Sequence, residues 1–214
     1  MRRHVGTMSE ADGEKLERAI NGDTAALGEL LETHGPEVRG TVAASLSSVW
    51  RSSLDADDVM QVTYLEAFLR IRQFSPKGPN SFVAWLQRIA QNNLRDAVRE
   101  LERVKRPDPR RRAEMPQGDE SYFALLDVVG LTTSTPSRQA ARGEAATAIE
   151  QAVRTLPDDY AQVIRQCDLN GFPVTEVAQT LGRSVGAVHM LRARAHERLR
   201  EKLGTESRYF SRVS

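Results

Sequence analysis

Arginine side chains are concentrated in one stretch near the end of the chain, from Val174 to Glu201. Arginine can neutralise a phosphate, and its planar fork can donate two hydrogen bonds to the edge of a guanine base. The residues suited to such contacts are Arg183, Arg192, Arg194 and Arg198. A helix rich in arginine and glutamate is also compatible with a plain solvated surface. The residues that position these arginines therefore decide between the two interpretations.

The elements around the arginines have the spacing of a helix-turn-helix. Gly182 can adopt the positive φ of a tight corner, and Ala178 is small enough for a second helix to cross there. Ser184 is suited to cap that second helix. A shared core can be formed by Val177, Leu181, Val188 and Leu191. The stretch therefore predicts a DNA-binding motif whose second helix enters the major groove.

Two histidines, His189 and His196, lie on the same face of the predicted second helix. No third metal ligand accompanies them, so we expect them to contact a groove or phosphate rather than a metal. The sequence also lacks a glycine-rich phosphate loop, a nucleophile elbow and an HExxH motif, which argues against a hydrolase or metalloenzyme. We expect no enzymatic activity, no metal and no cofactor.

The net charge of +1 conceals a separation of charges along the chain. Acids dominate Ser9–Glu37, whereas bases dominate Arg103–Arg112 and Arg183–Lys202. Local basic surfaces on a nearly neutral protein indicate specific docking rather than general adhesion to nucleic acid.

The cysteine count and the hydropathy bear on the compartment. A single cysteine, Cys167, excludes an internal disulfide. No apolar run approaches the ~20 residues that span a bilayer. The first ten residues contain bases without the apolar core of a secretion signal. We therefore expect a cytoplasmic protein without membrane insertion.

Helical periodicity in the first hundred residues, and again near the end, predicts an all-α protein. We expect two small helical domains joined by a flexible linker, the second containing the helix-turn-helix. The predicted segments are a first domain at 9–106, a linker at 107–143, a second domain at 144–203 and a tail at 204–214. Asp23 and Asp55 are predicted helix caps, and Gly35-Pro36 is expected to break a helix. One apolar patch, Tyr122–Leu131, interrupts the linker.

Two long motifs carry a resemblance to a known family. The sequence LDADDVMQVTYLEAFLRIRQF, followed by FVAWLQRIAQNNLRDAVRE, resembles region two of the sigma-70 family. The sequence LPDDYAQVIRQCDLNGFPVTEVAQTLGRSVGAVHMLRARAHERLRE resembles region four. This pair without other regions is similar to an extracytoplasmic-function (ECF) sigma factor. The resemblance implies a promoter-specificity subunit that binds core RNA polymerase and directs transcription initiation at −10 and −35 elements.

The resemblance assigns polymerase docking to the helix from Asp55 to Ile71, which matches the segment that docks on the clamp helices. Its polar surface corresponds to Asp57, Asp58 and Gln61. Acids at this position also suit the positive end of a helix dipole, which is an alternative reason for their presence.

Recognition and melting of the −10 element are assigned to the loop from Ser75 to Ser81 and the helix after it. A flipped base needs a polar pocket, and a separated strand needs cations. The matching residues are Lys77, Asn80, Ser81, Arg88, Asn92, Arg95 and Arg99. Trp85 is either a stacking platform or part of the core, and its place in the apolar row favours the core.

The helix from Val185 onward resembles the reader of the −35 element. The DNA contacts implied there are Arg183, Ser184, His189, Arg192, Arg194 and Arg198. His189, Met190 and Leu191 replace commoner family residues, which leaves the base preference open. The linker matches a tether that threads toward the RNA exit path. Its basic run Arg110–Arg112 is compatible with a solvated tail or with contact to a nucleic-acid backbone.

The expected partners are core RNA polymerase and promoter DNA, and we expect the free protein to be monomeric. Members of this family commonly have an anti-sigma factor, although no residue of this chain identifies one. The alternative is a helix-turn-helix regulator that binds an operator without polymerase and uses its first domain as a sensor or dimeriser. A sigma factor should co-purify with polymerase subunits, whereas a repressor should not.

Overall fold

The computed structural model describes residues 8–105, 119–129 and 138–210. These residues form helices and connecting turns, with no strand among them. The chain divides into two compact units, Met1–Arg99 and Glu100–Ser214. The prediction of an all-α, two-domain protein is confirmed.

The described part of the first unit, from residue 8 onward, is built from four helices and two short 3-10 turns. The helices are α1 (Glu10–Ile20), α2 (Thr24–Ser45), α3 (Ala56–Arg70) and α4 (Ser81–Lys105), and α4 continues beyond the unit's last residue. The 3-10 turns are Ser48–Trp50 and Ile71–Gln73. Helix α1 packs on α2, and α2 packs on α3. Buried apolar side chains from all four helices form the core, including Leu16, Leu27, Leu30, Val59, Val62, Phe82 and Leu86.

Short polar side chains begin α2 and α3 where the sequence predicts them. The Asp23 carboxylate accepts hydrogen bonds from the backbone of Ala25 and Ala26, both at 3.0 Å. Asp55 accepts from the Asp58 backbone at 2.8 Å, and Asp58 accepts in return from the Asp55 backbone at 3.2 Å. Both caps satisfy amide groups that have no partner inside the helix.

The expected break at Gly35-Pro36 does not occur, because α2 continues through Pro36 to Ser45. A proline inside a helix deprives the carbonyl of the residue four positions earlier of its bond. That residue is Glu32, which is exposed, so water can satisfy its carbonyl. Gly35 also lacks the side chain that would crowd the proline ring, and its open side receives the Tyr64 hydroxyl.

The second unit carries the predicted helix-turn-helix. Its helices are α5 (Asp119–Val128), α6 (Arg138–Arg154), α7 (Asp158–Val163), α8 (Val174–Leu181) and α9 (Val185–Phe210). A π-helix, Ile164–Leu169, continues α7 directly, where the sequence pattern predicts an ordinary helix. Helices α6, α7 and α8 all pack against α9. The core includes Ile149, Val153, Tyr160, Ile164, Val188, Leu191 and Leu199.

The segment interpreted as linker contains regular structure. Residues 122–128 of its apolar patch lie in helix α5, which packs on α6 and on the π-helix, and residues 130–131 lie outside the described residues. Leu125 and Val129 are buried, so the patch belongs to the core of the second unit. The basic run Arg110–Arg112 lies outside the described residues. At the other end, α9 extends to Phe210 and so includes the start of the predicted tail.

No helix within 8–105, 119–129 or 138–210 combines the length and the apolar character needed to cross a membrane.

Candidate DNA and polymerase interfaces

The helix-turn-helix corner has the predicted geometry. Gly182 adopts φ 61° and ψ 34°, the left-handed conformation that glycine takes without steric cost. The Ser184 hydroxyl accepts a hydrogen bond from the Ala187 backbone at 3.1 Å and so caps α9. Ala178 is 4% exposed at the crossing of α8 and α9. These three residues orient α9 on α8 as the sequence predicts.

Arg192 is held inside the second unit by Asp168, the fifth residue of the π-helix. Its Nε and Nη2 donate to Asp168 Oδ1 at 3.0 and 2.6 Å. His196 Nε2 lies 3.1 Å from the other carboxylate oxygen of Asp168. The Asp168 side chain is 4% exposed. Two of the guanidinium nitrogens of Arg192 are thus engaged by a buried carboxylate, which argues against its predicted DNA contact and favours a positioning role.

The electrostatics of this cluster agree with its geometry. Burial alone would raise the pKa of Asp168, but the hydrogen bond and charge of His196, together with Arg192, hold it below its ordinary value. Burial alone would lower the pKa of Arg192, and the Asp168 carboxylate instead raises it. Both side chains are therefore charged at neutral pH and bind each other as ions.

The other three arginines predicted to reach DNA also form ion pairs. Arg183 Nη2 donates to Asp159 on α7 at 2.9 Å. Arg194 Nη1 donates to both oxygens of Glu197, at 2.9 and 2.8 Å. Arg198 Nη1 donates to Glu201 at 2.9 Å. The acids beside Arg194 and Arg198 are themselves about half exposed, so these pairs can exchange partners with solvent or phosphate.

His189 does not present a charge at the surface of α9. It is 5% exposed, and burial lowers its pKa. A neutral, enclosed imidazole cannot neutralise a phosphate, which argues against the predicted DNA contact of His189.

The residues predicted to contact the −10 element share one face of α4. Arg88, Asn92, Arg95 and Arg99 recur at intervals of three and four residues, and all four are exposed. Arg95 donates to Asn92 at 3.2 Å, and Arg99 lies 3.9 Å from Asp96. We call Arg88, Asn92, Arg95 and Arg99 the α4 stripe. It offers three guanidinium groups to solvent on the side of α4 opposite the buried Leu86 and Asn93.

The loop before α4 places further predicted residues beside an aromatic cluster. Lys77 is exposed, Asn80 and Ser81 are half-buried, and Asn80 Oδ1 accepts from the Met8 backbone at 3.4 Å. Trp85 is half-buried and its ring packs on Phe74 and Phe82, with centroids 4.9 and 5.8 Å away. Trp85 is thus part of the edge of the core, as its position in the apolar row suggests.

The three residues predicted to bind polymerase differ in what their side chains do. Asp58 is 9% exposed and its carboxylate caps α3, so its capping role argues against a direct contact with a partner. Asp57 is exposed and receives two hydrogen bonds from Arg39 of α2, at 2.6 and 2.8 Å. This bond and the Arg39 charge lower the pKa of Asp57. Gln61 is exposed one turn further along α3.

Sequence reasoning missed an apolar residue on the same face. Phe68 keeps helical spacing with the apolar residues Val59 and Val62 of α3, yet it is 42% exposed whereas they are buried. It follows Asp57 by eleven residues, close to three helical turns, and Gln61 by seven, close to two. The signal in the sequence was the spacing of three or four residues from Asp57 through Gln61 and Leu65 to Phe68, which places these four residues on one helix face. Phe68 supplies this face with a large apolar group.

The described residues contain no group of three or more His, Cys, Asp or Glu side chains arranged to hold a metal ion.

Comparison with known proteins agrees with the two-unit organisation. The family model "Sigma-70 region 2" matches residues 30–104, and "Sigma-70, region 4" matches residues 146–199. The ECF RNA polymerase sigma factor SigD of Mycobacterium tuberculosis is 28% identical, over 89% of this chain and 85% of its own length. The RNA polymerase sigma-H factor of Pseudomonas aeruginosa is 26% identical, over 91% of this chain and 94% of its own length.

Among solved structures, CnrH in complex with the cytosolic domain of CnrY is 25% identical, over 92% of this chain and 99% of that chain, with a TM-score of 0.34. The family is carried by the two region matches and by the relatives aligned along most of their length. The chain belongs to the sigma-70 family, as a sigma factor of the ECF type that acts in transcription initiation.

Proposed function

We propose that this sigma factor binds core RNA polymerase through α3 and directs it to promoters with a −10 element read by the first unit and a −35 element read by the second. The observation that carries the proposal is the order of the two family matches on two compact helical units. The capped helix-turn-helix corner at Gly182 and Ser184 supports the assignment of the second unit to DNA.

The proposed polymerase surface consists of Asp57, Gln61 and Phe68 on α3, with Arg39 of α2 beside Asp57. An exposed aromatic group flanked by polar groups is typical of a binding hot spot. Both side chains of the Arg39–Asp57 pair are exposed. A partner can therefore bind either charge while the other one stays in contact with solvent. Asp58 supports this surface indirectly, because it caps the helix that carries it.

The proposed −10 surface consists of the α4 stripe and the loop residues Lys77, Asn80 and Ser81. Cations along one helix face can follow the phosphates of a separated strand. Asn80 and Ser81 offer both donors and acceptors to an unpaired base. The amide oxygen of Asn80 faces the Met8 backbone, so a base that binds there must displace that weak contact.

The proposed −35 surface uses Arg183, Arg194, Arg198 and the N-terminal turn of α9 after Ser184. Each of these arginines must leave its acidic partner or share it in order to bind DNA. The carboxylates of Glu197 and Glu201 are 42% and 58% exposed, whereas the side chains of Arg194 and Arg198 are 8% and 18% exposed, so both guanidinium groups must move outward to bind DNA.

The proposal is tested by transcription and by DNA titration. Run-off transcription with core polymerase on genomic fragments should give discrete start sites that depend on the added protein. A promoter duplex mapped in this way is then titrated at physiological salt with the free protein and with the holoenzyme. Single DNA-binding modules cover only about 600–1,000 Å², so the free protein should bind weakly and the holoenzyme tightly.

The rival function predicts the opposite result. A repressor needs no polymerase and should dimerise on a palindromic operator. A free dimer that binds duplex DNA at nanomolar concentration, with no gain from core polymerase, would overturn the proposal. An anti-sigma partner remains a prediction from the sequence resemblance.

A further inference from the structure

Helix α5 is the part of the second unit that the proposed function does not use. It is fixed to three other elements. Leu125, Leu126 and Val129 are 2%, 9% and 0% exposed where α5 packs on α6 and the π-helix. The Tyr122 hydroxyl donates to Glu150 Oε1 of α6 at 3.0 Å. At the end of α5, Arg200 Nε of α9 donates to the Val129 carbonyl at 2.6 Å.

Three residues of α9 that contact the π-helix or the end of α5 form one row along the helix. Arg192, His196 and Arg200 are four residues apart, so they lie on one face of the helix. The first two contact Asp168 of the π-helix, and the third contacts the backbone at the end of α5. The π-helix that presents Asp168 is itself packed against α5. Helix α5 therefore supports all three residues: Arg200 directly, and Arg192 and His196 through Asp168.

We propose that α5 is a positioning element for promoter reading: it sets the orientation of α9 through the Arg200–Val129 bond and through the π-helix, and so determines selectivity for the −35 sequence. Base discrimination in a groove depends on the placement of a helix to within fractions of an ångström, because bidentate bonds to a base edge are directional. Arg200 and Tyr122 are positioning residues in this scheme. The inference rests on the proposed function, because it assigns α9 to the −35 element.

The test uses the full-length protein with core polymerase and a promoter mapped by run-off transcription. Transcription is measured on that promoter and on variants with single base-pair changes in the −35 or in the −10 element. The sigma variants are Arg200→Met, which removes the guanidinium group but keeps an unbranched chain as far as the position of Nε, and Tyr122→Phe, which removes only the hydroxyl. Arg200→Lys serves as the conservative rescue, and Gln162→Ala, an exposed change on α7, as the matched control.

We expect Arg200→Met and Tyr122→Phe to reduce the ratio of activity between the natural and altered −35 elements by roughly 3–10-fold. Discrimination at the −10 element should not change, and Arg200→Lys should restore most of the −35 ratio. Circular dichroism and thermal unfolding verify that the variants are folded. A merely structural role would lower activity on all promoters alike and leave the −35 ratio unchanged.

Two results would overturn the inference. One is an unchanged −35 ratio in both folded variants. The other is an equal loss of transcription on every −35 sequence with Arg200→Met, together with a slope of log affinity against log salt that is shallower by about one. That result would make Arg200 a phosphate contact. If the unaltered holoenzyme shows no −35 preference at all, the proposed function of the second unit fails, and this inference fails with it.

Discussion

Asp168 and Arg192 lie 24 residues apart in the chain, yet two nitrogens of the Arg192 guanidinium donate to a single carboxylate oxygen of Asp168, at 3.0 and 2.6 Å. The carboxylate is almost fully enclosed, with 4% of its side chain exposed. A buried ion pair of this kind leaves a costly unpaired charge when one partner is removed. The pair therefore fixes α9 to the π-helix and engages two of the guanidinium nitrogens that Arg192 could otherwise offer to DNA.

The substitution Asp168→Asn tests this role. The introduced amide keeps the shape of the carboxylate but leaves the Arg192 charge without its counter-ion. We expect a loss of about 3–5 kcal/mol in the free energy of unfolding, measured by urea denaturation at pH 7. The matched control is Asp159→Asn, because Asp159 pairs with Arg183 at 2.9 Å but is 42% exposed. That exposed pair should contribute ~1 kcal/mol or less. Equal losses for the two variants would contradict the prediction.

The stabilisation from Asp168 should also depend on pH. The pKa of Asp168 is lower in the folded protein than its ordinary value of 3.8. A carboxylate with a lowered pKa contributes its full stabilisation above the unfolded-state pKa, and the contribution is lost as the pH falls through the folded-state pKa. The difference in unfolding free energy between the wild type and Asp168→Asn should therefore shrink as the pH falls below about 4. A difference that stays constant under more acidic conditions would exclude this linkage.

Phe68 is expected to contribute to polymerase binding. It is 42% exposed on the same face of α3 as Asp57 and Gln61. Phe68→Ala should leave stability within about 0.5 kcal/mol, because the ring is only partly buried. Affinity for core polymerase should fall by about 2 kcal/mol, or roughly 30-fold, the loss typical of an aromatic hot spot. Val49→Ala, which truncates a side chain that is 60% exposed outside this face, is the control. Unchanged affinity in the Phe68 variant would remove it from the interface.

Local chemistry in this chain could be predicted from the sequence, because a cap or a tight turn depends on residues three or four positions apart. The caps at Asp23, Asp55 and Ser184 and the corner at Gly182 are all of this kind. Helix propensity gives a similar local signal in α4, because two adjacent asparagines in mid-helix are unfavourable and predict that at least one of them bonds inward or to DNA. Asn93 is fully buried and donates to Thr63 of α3 at 3.2 Å.

The remaining features depend on contacts that are distant in sequence. Nothing near Arg192 indicates that its partner is Asp168, and an arginine on a recognition helix is ordinarily taken for a DNA contact. The sequence predicts a linker at 107–143 because of its prolines and small polar residues, and the ten residues of α5 are too few to form a stable helix alone. The helix is held by burial of Leu125 and Val129 against α6 and the π-helix. The exposure of Phe68 could not be predicted, because helical periodicity identifies a row of apolar residues but not which of them reach solvent.

The α4 stripe makes a prediction about salt dependence. Arg88 is exposed and forms no ion pair with any residue among those that the structure describes. If it neutralises one phosphate of the −10 region, Arg88→Ala should make the slope of log affinity against log salt shallower by about 0.7–0.9. The affinity of the holoenzyme for the promoter is measured at several salt concentrations. Lys15→Ala is the control, because Lys15 pairs with Glu29 at 3.0 Å between α1 and α2. An unchanged slope for Arg88→Ala would exclude the phosphate contact.

Cys167 gives a direct probe of the second unit. It is buried in the π-helix, and burial raises the pKa of its thiol to about 11. Because the thiolate is the reactive form, alkylation by iodoacetamide at pH 8 should be at least about 100-fold slower in the native protein than in urea. The chain has one cysteine, so the modification can be followed by mass alone. Rapid labelling of the native protein would show that the π-helix opens readily.

Arg194 is the most constrained of the arginines still proposed to read the −35 element. It is 7% exposed, and its Nη1 donates to both carboxylate oxygens of Glu197. Glu197 therefore competes with DNA for the same donor. Glu197→Gln should weaken that competition and tighten binding of the holoenzyme to a −35-containing promoter by about 2–5-fold, the range of a partly exposed pair. Arg194→Ala should lower the affinity, by about 1–3 kcal/mol if the contact is a bidentate guanine pair.

The double variant decides how the two residues act. If Glu197 acts by holding Arg194, the gain from Glu197→Gln should vanish in the Arg194→Ala background, because the two changes are coupled. A gain of equal size in both backgrounds would mean that Glu197 repels the phosphates directly. Arg198 and Glu201 form a similar pair one turn further along α9, so the same cycle with Glu201→Gln and Arg198→Ala tests the proposed DNA contact of Arg198. Normal −35 preference and affinity in Arg194→Ala would exclude Arg194 as a reader and leave its bond to Glu197 as a feature of the helix surface.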